Sequence, residues 1–176
     1  INNDFEVLTE QNLSGILTLG GTILGTSREK PYKKSEHDSV EDKPAIMKKN
    51  IEELGLDCVV CIGGNGTQKT AALMSAQGIN VIGIPKTIDN DVWGTDVTFG
   101  FDSALTIATE AIDRLHTTAN SHKRVMVIEV MGHTAGWLSL YAGMASGGDV
   151  ILIPEIDFDL DIVAENLTQR ANKGKP

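Results

Sequence analysis

The sequence predicts an α/β fold: a three-layer, mostly parallel sheet with helices on both faces. Two observations carry this. Short β-rich apolar runs alternate along the chain with segments of helical periodicity, and neither a sequence repeat nor a long linker interrupts the alternation. Strands separated in this way are joined by crossovers and run parallel, and right-handed crossovers are expected.

Taken in order, SGILTLGGT reads as a strand entering a glycine turn, and SREKPYKKSEHDSVEDKP as a charged surface loop. In KPAIMKKNIEELG, Ile46, Ile51 and Leu54 have helix-compatible spacing and Gly55 is a stop signal. LDCVVCIGG reads as a buried strand, TQKTAALMSAQG as a helix and INVIGIP as a strand. FDSALTIATEAIDRLHTTAN is the longest helix, with Leu105, Ala108, Ile112 and Leu115 on one face and Asp102 as its cap. RVMVIEVMG is expected to be a strand, followed by a helix from about Ala135 to Ala145, the short strand DVILIP, and a helix from about Leu160 to Ala171.

Composition narrows the function. The chain has 176 residues, is 41% hydrophobic and carries a net charge of -9, so it can bury one core but has no broad cationic face for nucleic acid or anionic membrane. An anionic ligand would have to be met by local cations and backbone amides. No apolar run approaches the roughly 18 residues of a membrane span, and INNDFEVLTE lacks the features of a secretory signal, so the cytoplasm is the expected location. Cys58 and Cys61 form a CxxC, but three steps along a strand put their side chains on opposite faces, which favours buried thiols over a redox or metal pair. The sequons at Asn12, Asn65 and Asn166 carry little weight in a chain without a secretory signal.

In open parallel sheets ligands gather beyond the carboxyl ends of the strands, and three loops there draw notice. The first is Gly63-Gly64-Asn65-Gly66-Thr67, where glycines admit an anion to backbone N–H groups at a helix start. It matches neither GxxxxGK[ST] nor GxGxxG, and simple turn chemistry is the plain alternative. The second follows Pro85: Lys86, Thr87, Asp89, Asn90 and Asp91. One carboxylate there can take a proton from a hydroxyl while the cation neutralises phosphate charge, the division of labour that phosphoryl transfer requires. The third is EVMGHTAGW from Glu129 to Trp137, where Gly132 and Gly136 allow close backbone approach and His133 can meet an anion or hydroxyl, or else serve as a cap. Arg28 and Arg124 are the other cations near loop ends, with solvation as their ordinary role.

GGTILGTSR, GGNGT, PKTIDND, GFDSA and RVMVIEVMGHTAGW, in this order and over nearly the whole chain, resemble the phosphofructokinase family. The resemblance implies a Rossmann-like lobe and a glycolytic, allosteric class of kinase that moves a phosphoryl group from ATP or pyrophosphate, with Mg²⁺, to the 1-hydroxyl of fructose 6-phosphate. By that resemblance Asp89 is the general base, and Thr87 and Asp91 contact or orient substrate and metal. Gly64, Asn65, Gly66 and Thr67 form the donor-phosphate loop with Arg28, and Met131, Gly132 and His133 touch the acceptor. Arg124 reaches the acceptor site of a neighbouring subunit, which implies a homo-oligomer, dimer or tetramer.

Two positions depart from the family pattern: Asn65 stands where an aspartate metal ligand is common, and His133 where many bacterial ATP-dependent members have arginine. Gly66 favours ATP as donor, whereas Lys86 is associated with pyrophosphate, the alternative donor. A non-catalytic phosphate-binding or regulatory subunit of the family is the remaining alternative, and PKTIDND with EVMGHTAGW counts against the diacylglycerol and NAD kinase types, which share a GGxGT loop. The expected organisation is a donor-binding lobe over residues 1–150 lacking its first strand, with residues 151–176 leading toward a second, acceptor-binding lobe. The chain is thus expected to be an internal portion of a longer enzyme, inactive by itself.

Overall fold

A computed structural model describes residues 3–33 and 42–174. The middle of the expected polar loop, at 34–41, lies outside the described residues. The chain divides into two compact units, one running to Cys61 and resuming over Lys69–Ile82, the other made of Ile62–Gln68 and the chain from Gly83 onward.

In the first unit a short helix α1 (Glu10–Leu13) is closed by Thr9 and Asn12, which cap each other reciprocally. The strand expected in SGILTLGGT does not form: Gly15 takes the left-handed region at φ 77° and starts a 3₁₀ turn over Ile16–Thr18. Helix α2 (Lys43–Glu53) begins where Asp42 accepts from the Ala45 N–H at 3.2 Å, and ends before Gly55 at φ 62°, the stop the sequence signals. Ala71, Met74 and Ile79 form the buried apolar core of this unit.

Strands β1 (Val59–Gly63) and β2 (Val81–Pro85) pair in parallel, joined by helix α3 (Asn65–Ala76). The ladder runs from the Val59 N–H on Asn80 O to the Lys86 N–H on Gly63 O, both 2.9 Å. Gln68 closes the carboxyl ends of the two strands: its amide donates to Gly63 O and to Ile84 O, each at 2.9 Å. That close approach explains Gly83, because a Cβ there would collide with the Gln68 side chain.

Helix α4 (Phe101–His122) packs against α5 (Trp137–Ala145) in the second unit. Phe101, Leu138 and Ala142 are buried there, and Phe101 meets Tyr141 edge to face at 5.8 Å between ring centroids. Asp102 is not the cap of α4; Gly100, left-handed at φ 101°, occupies that position and Asp102 lies in the first turn.

Two further expected strands do not form a ladder. Residues 124–132 find no strand partner among the described residues, and Val127 is 92% exposed. In 149–154 the period of two is present: Ile151 and Ile153 face Gly143 and Gly136, while Val150 and Leu152 are exposed. A strand requires a neighbour to accept its hydrogen bonds, and here Gly143 of α5 and the Gly136 that precedes the helix take the inward side chains instead. Helix α6 (Leu160–Asn172) follows, opened by Asp159, whose carboxylate accepts from the Asp161 N–H at 2.8 Å. No helix among the described residues is long and apolar enough to cross a membrane.

Candidate functional site

The candidate residues of the second unit lie on three segments. Helix α3 begins at Asn65, two residues before the start the sequence suggests, so Asn65, Gly66 and Thr67 form its first turn rather than a free loop. A first turn directs backbone N–H groups and the positive end of the helix dipole outward. Nothing lies within 4 Å of the place a Cβ would take on Gly66, so that side of the turn is open. Gly63, by contrast, must be glycine, since a Cβ there would stand 2.7 Å from Thr67 Cβ.

The segment after β2 is held against this turn. A Cβ on Gly64 would lie 3.6 Å from Thr87 Cβ, an ordinary contact. Asn65 Nδ2 donates to the Asp91 carboxylate at 2.9 Å and to Asp91 O at 3.2 Å. The amide thus turns its nitrogen toward Asp91, and two acids in those places would repel. Lys86 is fixed by its backbone in the ladder and by a parallel bridge to Phe99, with its side chain exposed. Asp89 is partly buried, and its N–H donates to Thr87 Oγ1 at 3.2 Å.

The third segment starts after α4. Lys123, left-handed at φ 51°, caps the helix, and the exposed Arg124 keeps its N–H on Ala119 O at 3.1 Å. Met131 is exposed and Gly132 buried. His133 is also left-handed, at φ 55°, with Nδ1 3.3 Å from Thr134 Oγ1. It precedes helix α5 by several residues, so it is not a cap. Gly136 donates its N–H to Glu155 Oε1 at 2.7 Å, and a Cβ there would meet Ile153 Cβ at 2.5 Å and Glu155 Oε2 at 2.6 Å.

The structure therefore joins Gly64 to Thr87 and Asn65 to Asp91. Arg28 belongs to the first unit. Three residues with positional work escaped the sequence reading: Gln68, Thr98 and Glu155. Glu155 had a signal, since Pro154 ends an apolar run just as Pro85 does and the polar residue that follows takes the same place beyond the run. Thr98 and Gln68 had none, because no local pattern links Thr98 to Thr87 and Asn90 or Gln68 to Gly63 and Ile84.

Cys58 and Cys61 are free thiols, half-buried rather than buried. Burial pushes the Cys61 thiol up from its ordinary range, and Cys58 beside it adds to this, so it is not an activated thiolate. No cluster of three or more acidic, histidine or cysteine side chains fit to hold a metal occurs among the described residues.

Glycine turns and a helix start at the carboxyl ends of paired parallel strands are features of the α/β class. The chain belongs to the phosphofructokinase family: the family model described as Phosphofructokinase matches residues 1–176. It is 64% identical over 176 residues to ATP-dependent 6-phosphofructokinase 3 of Bacteroides thetaiotaomicron, covering 100% of this chain and 52% of that protein. The phosphofructokinase structure from Saccharomyces cerevisiae superposes with a TM-score of 0.81 at 31% identity, covering 94% of this chain and 25% of that one. A pyrophosphate-dependent phosphofructokinase from Marinobacter aquaeolei gives a TM-score of 0.69 at 25% identity, over 88% of this chain and 41% of that one. These likenesses establish the α/β class that the alternation predicts. The chain spans about half the length of the curated relatives it matches.

Proposed function

We propose that the protein carrying this chain is a 6-phosphofructokinase that transfers the γ-phosphoryl group of ATP to the 1-hydroxyl of fructose 6-phosphate, giving fructose 1,6-bisphosphate in glycolysis. The observation that carries the reading is the Asn65–Asp91 bond, which ties the helix start of GGNGT to the loop bearing Asp89. A phosphate cradle and a proton acceptor are thereby held as one piece.

In this reading Asp89 takes the proton from the sugar hydroxyl as its oxygen bonds to the γ-phosphorus and the bond to the bridging oxygen breaks, releasing ADP. Thr87 and Asp91 orient the acceptor, and Met131, Gly132 and His133 contact it. Gly64, Asn65, Gly66 and Thr67 receive donor phosphates on backbone amides, with Lys86 as a countercharge. Arg124 completes the acceptor site of a neighbouring subunit in a homo-oligomer. The chain supplies most of a donor lobe, with residues 151–176 leading to an acceptor lobe.

Asn65 and Asp91, which the amide–carboxylate bond holds side by side, carry the hard oxygens that would hold Mg²⁺. Such an ion is commonly held by one or two protein oxygens plus substrate phosphates, and when bound it would neutralise charge on the transferring group.

The relatives named ATP-dependent and the open side of Gly66 support ATP. Pyrophosphate is the second reading, favoured by the exposed Lys86 and by the likeness to the Marinobacter enzyme. The deciding assay offers ATP and pyrophosphate separately, with Mg²⁺ and fructose 6-phosphate, to the full-length protein. Faster turnover with ATP is expected. Binding of fructose 6-phosphate without turnover on either donor would instead leave a regulatory subunit.

A further inference from the structure

We infer that Thr98 is the positioning residue for Asp89, acting through both ends of the turn that carries it; this rests on the proposed phosphoryl transfer. Thr98 is 2% exposed, so it cannot itself touch a ligand. Its N–H donates to Asn90 Oδ1 at 2.9 Å and its Oγ1 donates to Thr87 O at 2.8 Å. Thr87 and Asn90 flank Ile88 and Asp89, so one buried side chain and its own amide grip the chain on either side of the acid.

The grip is reinforced from both directions. The Thr87 N–H donates to Phe99 O at 3.1 Å, and the Phe99 N–H donates to Pro85 O at 2.9 Å, which aligns 97–99 beside the end of β2. Within the turn, the Asp89 N–H donates to Thr87 Oγ1 at 3.2 Å. Asn90 sits at φ 52°, a left-handed conformation that asparagine tolerates and that brings its side-chain oxygen back to Thr98. Hydrogen bonds anchored in a buried, low-dielectric place are stiff, and a general base is useful only within a narrow range of distances to its proton.

The test uses the full-length protein. Thr98→Val keeps the side-chain volume and removes the donor to Thr87 O; Thr98→Ser keeps the donor. The valine variant is expected to lose between about 10- and 100-fold in kcat, the scale of a small misplacement of a reacting group, with KM for fructose 6-phosphate changed far less. The serine variant should recover most of the loss. Should the valine variant fail to fold, Asn90→Gly removes the other arm while keeping the left-handed turn, and the same loss of kcat with KM held is expected.

Four results are decisive. Loss of kcat with KM held and serine rescue supports the positioning role. Wild-type kcat in the folded Thr98→Val protein overturns it while leaving the phosphofructokinase reading intact. If valine folds poorly, wild-type kcat in Asn90→Gly overturns it equally. An inactive wild-type protein with both donors removes the function and this inference together.

Discussion

Asn90 and His133 are two non-glycine residues in the same left-handed conformation, at φ 52° and 55°, each in a loop beyond an apolar run. Their side chains do different things. Asn90 folds inward and accepts the amide hydrogen of buried Thr98, whereas His133 is exposed with its ring beside Thr134. The first loop is thus fastened by its own polar side chains; the second is fastened at Gly136 by one carboxylate from a distant residue, Glu155. Left-handed backbone costs an L-residue free energy wherever it occurs. In the first loop an internal bond offsets that cost, while in the second the ring is left available to a ligand.

The largest expected effect falls in the fastened loop. Asp89→Ser in the full-length protein should lower kcat by about 10²- to 10⁴-fold, the range for a lost general base, with fructose 6-phosphate affinity nearly unchanged. Steady-state kinetics alongside equilibrium binding checks this. Near-wild-type kcat would remove Asp89 from the chemistry and leave the tight loop without a catalytic purpose.

Next in size is Gly136→Ala, which crowds the place where Glu155 ties down the second loop. Its added methyl would stand 2.5 Å from Ile153 Cβ and 2.6 Å from Glu155 Oε2, so the 149–155 segment must move away from α5. Overpacking of this kind costs about 1–3 kcal/mol, read as a fall in thermal midpoint. An unchanged midpoint would mean that Glu155 is not the fastener.

The two fastenings also explain what could be read in advance. The β1–α3–β2 order, the glycine stop of α2 and the spans of α4 to α6 follow from periodicity and local stop signals, which need only neighbouring residues. Strands at 124–132 and 149–154 were expected from their apolar runs, but strand formation depends on a partner that a run cannot name. Thr98 was invisible on like grounds: nothing in DVTFGF tells that its amide meets Asn90 and its hydroxyl Thr87. The bond from Asn65 to Asp91 spans 26 positions, beyond any local pattern.

Asn90→Gly should separate conformation from bonding. Glycine removes the left-handed cost but leaves the buried Thr98 N–H without Oδ1, and an unsatisfied buried donor costs about 1–3 kcal/mol. The net expectation is a loss of stability of about 1 kcal/mol, measured by denaturant unfolding. A gain would mean that the bond contributes less than the backbone strain it accompanies.

His133→Gly is the matching change in the other loop and carries the smallest effect on stability. Among the described residues its side chain would forfeit the exposed contact to Thr134, so relief of the left-handed backbone should dominate. Relief of about 1–2 kcal/mol of left-handed strain, less about 0.4–1 kcal/mol for the added flexibility of the unfolded chain, leaves an expected net gain of at least a few tenths. If the ring meets the acceptor as proposed, KM for fructose 6-phosphate rises in the same variant while kcat falls less. The stabilised protein with a weakened acceptor site would mark His133 as a residue held in strain for its ligand, in contrast to Asn90, held there for the loop. A variant that loses stability and keeps its KM would make the two residues alike.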